Sequence, residues 1–338
     1  MGRYLLFVMG NSIKSTYPPV SVVIPILNEA DHLQAAVDTV LSQEYLGEIE
    51  VILAIGPSRD GTEKVAEQIA RKDNRVSIVL NPSGRTPNAL NIAFAKATHE
   101  IVVRIDGHSE IAPTYVASAV ETMQRTGAVN VGGIMAAEGI TLFQKSVARA
   151  MRSVIGVGVS KFHTGGKEGA TDTVYLGTFR KAAVLAVGGY DEEFTRAQDW
   201  EMNYRLRKAG GLVYFDPRLI VIYRPRKRIT SLAKQYFEYG RWRRAVSRRY
   251  PETVNFRYLA PPIAFVISFM SILGSFFNSE FVIPFLLYLF SLFIGSQIIG
   301  KSWGERFQLP LILITMHMSW GIGFLSSPRK LAQGSLSR

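Results

Sequence analysis

The apolar positions of this chain follow two rhythms in turn. Residues 20–27, "VSVVIPIL", form a nearly continuous apolar run, the pattern of a strand covered on both faces. Leu33, Ala36, Val37, Val40 and Leu41 then recur at helical spacing. The alternation repeats. "EVILAI" (50–55) reads as a strand, and Val65, Ala66, Ile69 and Ala70 as a helix face. "VSIVL" (76–80) is a third strand, "NALNIAFAKA" (88–97) a helix, and "EIVVRID" (100–106) a fourth strand. Strand–helix alternation with short turns predicts βαβ units and a mostly parallel sheet flanked by helices. Ligands of such sheets bind outside the carboxyl ends of the strands. The fourth strand ends there in Asp106-Gly107-His108. A turn alone needs neither an imidazole nor that spacing.

The next stretch is less regular. A helix is expected near 113–126 and a strand at "AVNVGGIM" (128–135). Residues 156–171 hold five glycines among polar residues and read as a mobile loop. "TVYLGTF" (173–179) is a strand, "AAVLAV" (182–187) a short helix, and "QDWEMNYRLRKAG" (198–210) a helix closed by Gly210-Gly211. "LVYFD" and "LIVIY" read as two short strands. Three long apolar segments follow, at about 258–277, 281–299 and 309–327. Each approaches the ~20 residues that cross a bilayer. The first contains Pro261-Pro262 and is expected to start late or kink.

Composition and charge sharpen this division. The chain has 338 residues and no cysteine, which excludes disulfides, thiolate metal sites and a cysteine nucleophile. Its formal charge is +12. From Arg224 to Arg249 ten Lys/Arg face one acid, Glu238, just before the apolar segments. With no nucleic-acid motif beside it, that block points to anionic lipid on the cytoplasmic side of a cell membrane and not to nucleic acid. Lys301 and Arg306 put the second connector on the same side, whereas three full spans would carry Arg329, Lys330 and Arg338 outside, against the rule. Three spans, or two plus a re-entrant segment, both remain open. The apolar run Tyr4 to Met9 is too short for a signal peptide or a span. The expected organisation is a flexible leader over 1–17, a catalytic domain over 18–223, a basic amphipathic interfacial segment over 224–257, a membrane region over 258–327 and a tail over 328–338.

The motifs "VIPILNE" (23–29), "GPSRDGT" (56–62), "NALN" (88–91), "RIDGH" (104–108), "VGGYDEEF" (187–194), "QDWEMNYRL" (198–206) and "GRW" (240–242) stand in one order. In that order the chain resembles glycosyltransferase family 2, with the nucleotide-sugar fold called GT-A, and within it the membrane-anchored exopolysaccharide enzymes of the succinoglycan-biosynthesis type. The resemblance covers about 20–250 and the placement of the membrane segments. It implies a GT-A α/β domain followed by transmembrane helices. It also implies inverting transfer of a sugar from a nucleotide-diphosphate donor to a lipid-linked or growing glycan. A polyprenyl-phosphate acceptor, or a non-catalytic sugar-nucleotide-binding subunit, are the alternatives.

Site roles follow the same resemblance. Pro25, Asn28 and Glu29 would lie against the nucleotide, although Asn28 also suits a helix cap. Asp60 would bind the donor or, with Gly61, make a turn and cap. Relatives carry an Asp pair after the second strand to read the base; Ile55 and Gly56 stand there instead. A UDP-sugar is implied by family habit, with the base left open. Asp106 and His108 stand where the family has Asp-x-Asp, and would hold a divalent cation that stabilises the departing diphosphate. An imidazole ligand favours Mn²⁺ over Mg²⁺. Asp199 would be the general base, or a plain N-cap. Glu201 is expected to support structure. Arg241 and Trp242 would meet the diphosphate and the acceptor sugar, with an interfacial helix as the plainer reading. His163 and Lys167 would close over the donor phosphates or sit in a solvated loop.

Overall fold

The computed structural model describes residues 17–331, so the leader, apart from Tyr17, and the last seven residues of the tail lie outside it. The chain opens with β1 (Val20–Ile26), α1 (Leu33–Leu41), β2 (Ile49–Ile55), α2 (Thr62–Lys72), β3 (Val76–Leu80), α3 (Thr86–Lys96) and β4 (Ile101–Arg104). β5 (Glu110–Ile111), α4 (Tyr115–Thr126), β6 (Asn130–Ala137), α5 (Leu142–Met151), α6 (Val154–Val157) and α7 (Lys161–Thr164) follow. Then come β7 (Gly169–Ala170), β8 (Tyr175–Arg180), α8 (Lys181–Ala186), α9 (Gln198–Lys208) and β9 (Val213–Tyr223). The chain closes with α10 (Ile229–Arg249), α11 (Phe256–Ser275), α12 (Ile283–Ile299) and α13 (Trp303–Leu325).

Among the described residues the sheet orders its strands β3-β2-β1-β4-β8-β6-β9-β5, with β7 paired to β9. β1 pairs in parallel with β2 and β4, and β2 with β3, as the alternation predicts. β8 enters antiparallel between β4 and β6, so the sheet is mixed. Successive strand residues point to opposite faces. Val22, Ile24, Leu53 and Val103 accordingly pack with Val37 of α1, Ile69 of α2 and Met123 of α4. Val23, Ile52 and Val102 pack with Leu90 of α3, Val184 of α8 and Met202 of α9. Helices on both faces make a three-layer arrangement of the kind the resemblance implies, with the carboxyl ends of β1 and β4 side by side.

Two expectations about elements change. The segments "LVYFD" and "LIVIY" are one strand, β9. Pairing with β6 runs Gly132↔Phe215 and resumes at Ile134↔Ile220, so Asp216 to Leu219 bulge out opposite Gly133. Pro217 reads as a break because it has no N–H, but a bulge tolerates proline. A Cβ on residue 133 would lie 1.9 Å from the Leu219 carbonyl oxygen, so the bulge requires glycine there. The glycine-rich stretch is also built: it carries α6, α7 and β7, whose Gly169 pairs with Phe215.

Among the described residues three helices are long and apolar enough to cross a membrane, Phe256–Ser275, Ser279–Ile299 (α12 with the 3₁₀ turn before it) and Trp303–Leu325, with mean hydropathies of 1.6, 2.1 and 1.3. The first begins at Phe256 and runs through Pro261 and Pro262. The last starts earlier than its apolar run, because Ser302 and Glu305 form a capping box. α13 joins the sheet unit directly. Leu309, Ile312, Leu313 and Met316 share a buried cluster with Val147 and Met151 of α5 and Leu232 and Tyr236 of α10. At the α10–α13 seam the backbones nearly touch: a Cβ on Gly240 would lie 2.1 Å from the Trp320 oxygen, and one on Gly323 would lie 2.0 Å from the Phe237 oxygen.

Candidate active site

A cavity of about 1490 Å³ opens at the ends of β1 and β4 and runs to α11, α12 and α13. Its lining joins Pro25, Glu29, Arg104, Asp106 and His108 from the sheet to Asp199 and Trp200 from α9 and Trp242 from α10. Arg85, Arg196 and Arg226 add positive charge to its walls, which suits an anionic ligand.

Arg104 organises the end of the cavity nearest the sheet. It is the one charged residue inside an otherwise apolar strand, and only 3% of it is exposed. Its guanidinium donates to Asp106 Oδ1 from Nη2 at 3.1 Å and from Nε at 3.2 Å, and from Nη1 to Asp199 Oδ1. Burial alone would pull Arg104 down, but Asp106 and Asp199 outweigh it and hold it well above its ordinary value. Asp199 is raised, first by burial and also by the charge of Asp106, with Arg104 opposing both. Its side chain keeps 29% of its surface open. The helix behind it is held in place by the other motifs. Asn91 Nδ2 donates to the Tyr190 carbonyl at 2.8 Å, and Asn91 Oδ1 accepts from the Tyr190 N–H at 2.7 Å, tying α3 to the loop that feeds α9. Fully buried Glu201 accepts from Arg205 Nε at 2.6 Å and from the Tyr250 hydroxyl at 2.8 Å, a structural role.

His108 turns to Glu29, Nδ1 to Oε1 at 2.8 Å, and that hydrogen bond raises its pKa while burial opposes. Among the described residues no three His, Asp or Glu side chains form a ready cage for a metal ion. The donors nevertheless fit a cation that brings most of its ligands with the substrate. Hard divalent cations bound to phosphates use one or two protein carboxylates, and a ligating histidine commonly gives its second nitrogen to a carboxylate. With Nδ1 engaged by Glu29, Nε2 of His108 is the nitrogen left for a cation.

Other expected site residues fall elsewhere. Asn28 does not cap α1, which starts at Leu33 with His32 before it. It has φ 56° and clips the next loop instead, its side-chain oxygen accepting from the Arg59 N–H at 2.9 Å. Asp60 Oδ1 accepts from the Thr62 N–H at 3.1 Å and Oδ2 from the Ala30 N–H at 3.1 Å, so it clamps two loops and does not line the cavity. A Cβ on Gly56 would lie 3.1 Å from Gly84 Cα and from Leu27 Cδ1, so a side chain there would be crowded. Arg241 pairs with Glu238 at 2.7 Å and is not part of the lining, whereas Trp242 is. His163 lines the cavity, and burial pushes it down to about 3, so it brings no charge. Lys167 is exposed and outside it. Sequence reasoning passed over Arg104, Arg243 and Arg257. The available signal was an arginine in an apolar strand, which is rarely buried without partners.

Comparison with known proteins gives a consistent picture. The profile described as Glycosyl transferase family 2 matches residues 21–184. The succinoglycan biosynthesis protein ExoA of Rhizobium meliloti is 32% identical over 90% of this chain and 93% of its own length. A dolichyl N-acetyl-alpha-D-glucosaminyl phosphate 3-beta-D-2,3-diacetamido-2,3-dideoxy-beta-D-glucuronosyltransferase of Methanococcus voltae is 24% identical over 65% of this chain and 71% of that one. The solved mannosyltransferase of Pyrobaculum calidifontis, in complex with GDP-Man and Mn²⁺, superposes with a TM-score of 0.58 at 17% identity, covering 91% of this chain and 86% of that chain.

Proposed function

Since the chain belongs to glycosyltransferase family 2 and is a glycosyltransferase, we propose that it is an inverting, metal-assisted enzyme. It moves a sugar from a nucleotide-diphosphate donor to a lipid-linked glycan at the cytoplasmic face of a membrane. One observation carries the reading. Asp199, 95 residues beyond Arg104, shares its guanidinium with Asp106 in a cavity that continues to the apolar helices. The Rhizobium relative is named for succinoglycan biosynthesis, and the Methanococcus relative for a dolichyl-linked sugar phosphate, which favours a lipid-linked acceptor. The solved neighbour holds a guanosine donor, so the shared fold does not choose the base.

The donor's diphosphate lies over the ends of β1 and β4. A divalent cation held by Asp106 and His108 would supply the Lewis acid that stabilises the leaving diphosphate. Asp199 takes the proton of the acceptor hydroxyl as its oxygen bonds to the anomeric carbon. The carbon–oxygen bond to the diphosphate breaks on the opposite face, and its electron pair leaves with the nucleotide, which inverts the centre. The raised pKa of Asp199 brings it nearer neutral pH, where a general base works best.

The membrane arrangement follows from how the helices are held. α12 exposes Leu286, Leu287, Phe290, Phe293 and Ile294 along one broad face and buries only Leu292 and Ser296. α13 exposes one stripe, Phe307, Leu311, Ile322 and Leu325, at helical spacing. Both its ends are tied to the catalytic unit: Glu305 pairs with Arg149 of α5 at 3.6 Å, and Arg248 of α10 donates to the Ser327 and Pro328 carbonyls at 2.9 and 2.8 Å. We therefore place α11 and α12 across the bilayer and α13 along its cytoplasmic interface. Arg329 and Lys330, just past α13, then share the cytoplasm with Lys301 and Arg306, in accord with the positive-inside rule. The decisive test is a panel of nucleotide sugars with a lipid-linked acceptor, in Mn²⁺ and in chelator. Transfer that persists in chelator would overturn the metal, and transfer only to water-soluble glycans would overturn the lipid acceptor.

A further inference from the structure

Arg243 is a buried cation that the reaction scheme leaves unused. It is 5% exposed and lines the cavity. Its guanidinium carbon sits 4.2 Å from the centre of the Trp200 ring and 3.6 Å from that of Tyr258, so α9, α10 and α11 meet around it. Nη2 donates to the Thr253 carbonyl at 2.8 Å and to its hydroxyl at 3.0 Å, while buried Nε has no partner. Among the described residues no carboxylate lies within ion-pair distance of it; Asp172 is felt only as a weaker, more distant charge. A buried guanidinium with a free donor is costly unless an anion completes it. Arg257, also in the lining, donates from Nε to the Val157 carbonyl at 3.1 Å and places a second positive charge near it.

A second cavity of about 300 Å³ lies between α11 and α12, walled by Ile263, Ile267 and Pro284. Phe256, Ala260, Ala264 and Tyr288 line both cavities, so the apolar crevice runs into the space that holds Arg243. An arginine pair at the mouth of an apolar crevice, in helices that face a bilayer, matches one chemistry: a phosphate ester carried on a long hydrocarbon chain. Resting on the lipid-acceptor reading above, we infer that Arg243 and Arg257 hold the diphosphate of a polyprenyl-linked acceptor, with its first prenyl units between α11 and α12. This site would hang the acceptor's sugar in the cavity toward Asp199, and it is separate from the donor's diphosphate at Asp106.

The full chain in lipid nanodiscs tests this with polyprenyl diphosphate, inorganic pyrophosphate, polyprenol and a nucleotide diphosphate as probes. Quenching of tryptophan emission reports binding, since Trp200, Trp242 and Trp320 line the cavity. Arg243→Gln should weaken polyprenyl diphosphate by about tenfold or more, the loss expected of a charge-assisted hydrogen bond, and leave the nucleotide unchanged. Ala264→Phe should fill the crevice, weaken polyprenyl diphosphate and polyprenol, and spare pyrophosphate. Arg243→Lys should restore part of the loss. If Arg243→Gln fails to fold, Arg243→Lys and Ala264→Phe carry the comparison. Equal loss of nucleotide and polyprenyl diphosphate in the Arg243 variants would assign the guanidinium to the donor and overturn the proposal, as would wild-type polyprenyl binding in Ala264→Phe. Sugar transfer to lipid that survives both variants overturns this site alone; wild-type transfer only to soluble glycans overturns the underlying reading.

Discussion

Asp199 and Arg104 set the residue scale. Asp199→Asn keeps the side chain's size and its hydrogen bond from Arg104, so the fold and donor affinity should survive, but an amide cannot take the acceptor proton. General base catalysis contributes about 10²–10⁴-fold, and steady-state turnover should fall by that order while nucleotide titration gives a nearly unchanged Kd. A parallel loss of affinity and turnover would make Asp199 structural. Arg104 lowers Asp199 and Asp106 raises it. Arg104→Gln removes the lowering influence and leaves the raising one, so the folded-state pKa of Asp199 climbs. The acid limb of the kcat/KM profile reports the free enzyme, so activity should begin to fall at a higher pH than in the wild type. A limb that stays in place would remove Asp199 from the role of base. At the cation, His108→Asp replaces nitrogen by oxygen and should shift the activating metal from Mn²⁺ toward Mg²⁺, read as the ratio of rates in the two ions.

At the scale of elements, the motifs act mostly by fastening one segment to another. "NALN" ties α3 to the loop before α9, and Asn28, Ser58 and Asp60 lock the two loops at the ends of β1 and β2. These residues sit near the site by sequence pattern, but their side chains are spent on backbone partners. The α10–α13 seam is the contact most sensitive to size. Gly323→Val would drive a branched side chain into the Phe237 carbonyl, where a Cβ alone reaches 2.0 Å. Overpacking of this kind costs about 1–3 kcal/mol when the surroundings can adjust, and two helix backbones adjust poorly. A lowered melting temperature in detergent, with α13 cleaved early under limited proteolysis, is the expected result. Gly188→Ala, beside open space, is the control for substitution alone, and its strain at φ 83° is local.

At the scale of the whole molecule, the orientation of α13 decides on which side of the membrane Ser326 and the described residues after it lie. The absence of cysteine makes single-cysteine labelling clean. Ser279→Cys, in the α11–α12 connector, and Ser326→Cys, just past α13, are both exposed positions. In sealed right-side-out vesicles an impermeant maleimide should label residue 279 and not residue 326, with exposed Ser83→Cys of the catalytic unit behaving like 326. Labelling of 326 together with 279 would make α13 a third span.

The sequence by itself determined the layers. Continuous apolar runs alternating with helical spacing indicate the parallel β3-β2-β1-β4 part of the sheet and its helices, and hydropathy alone marks the three apolar helices. It marked Asp106 and His108 as candidates because a turn alone explains them incompletely, whereas Asp199 alone reads as a helix cap and became a candidate base only through the family resemblance. Tertiary structure decided the rest, because partners distant in sequence leave no local trace. It showed that Arg104 ties Asp106 to Asp199, and that Arg241 turns to Glu238 while Arg243, two residues and about 200° around the helix, enters the cavity. It joined two apparent strands through a bulge at Pro217, since only the geometry of Gly133 shows that the ladder resumes. Hydropathy counts apolar residues and is blind to what covers them. Only packing shows that one side of α13 is already taken by α5 and α10.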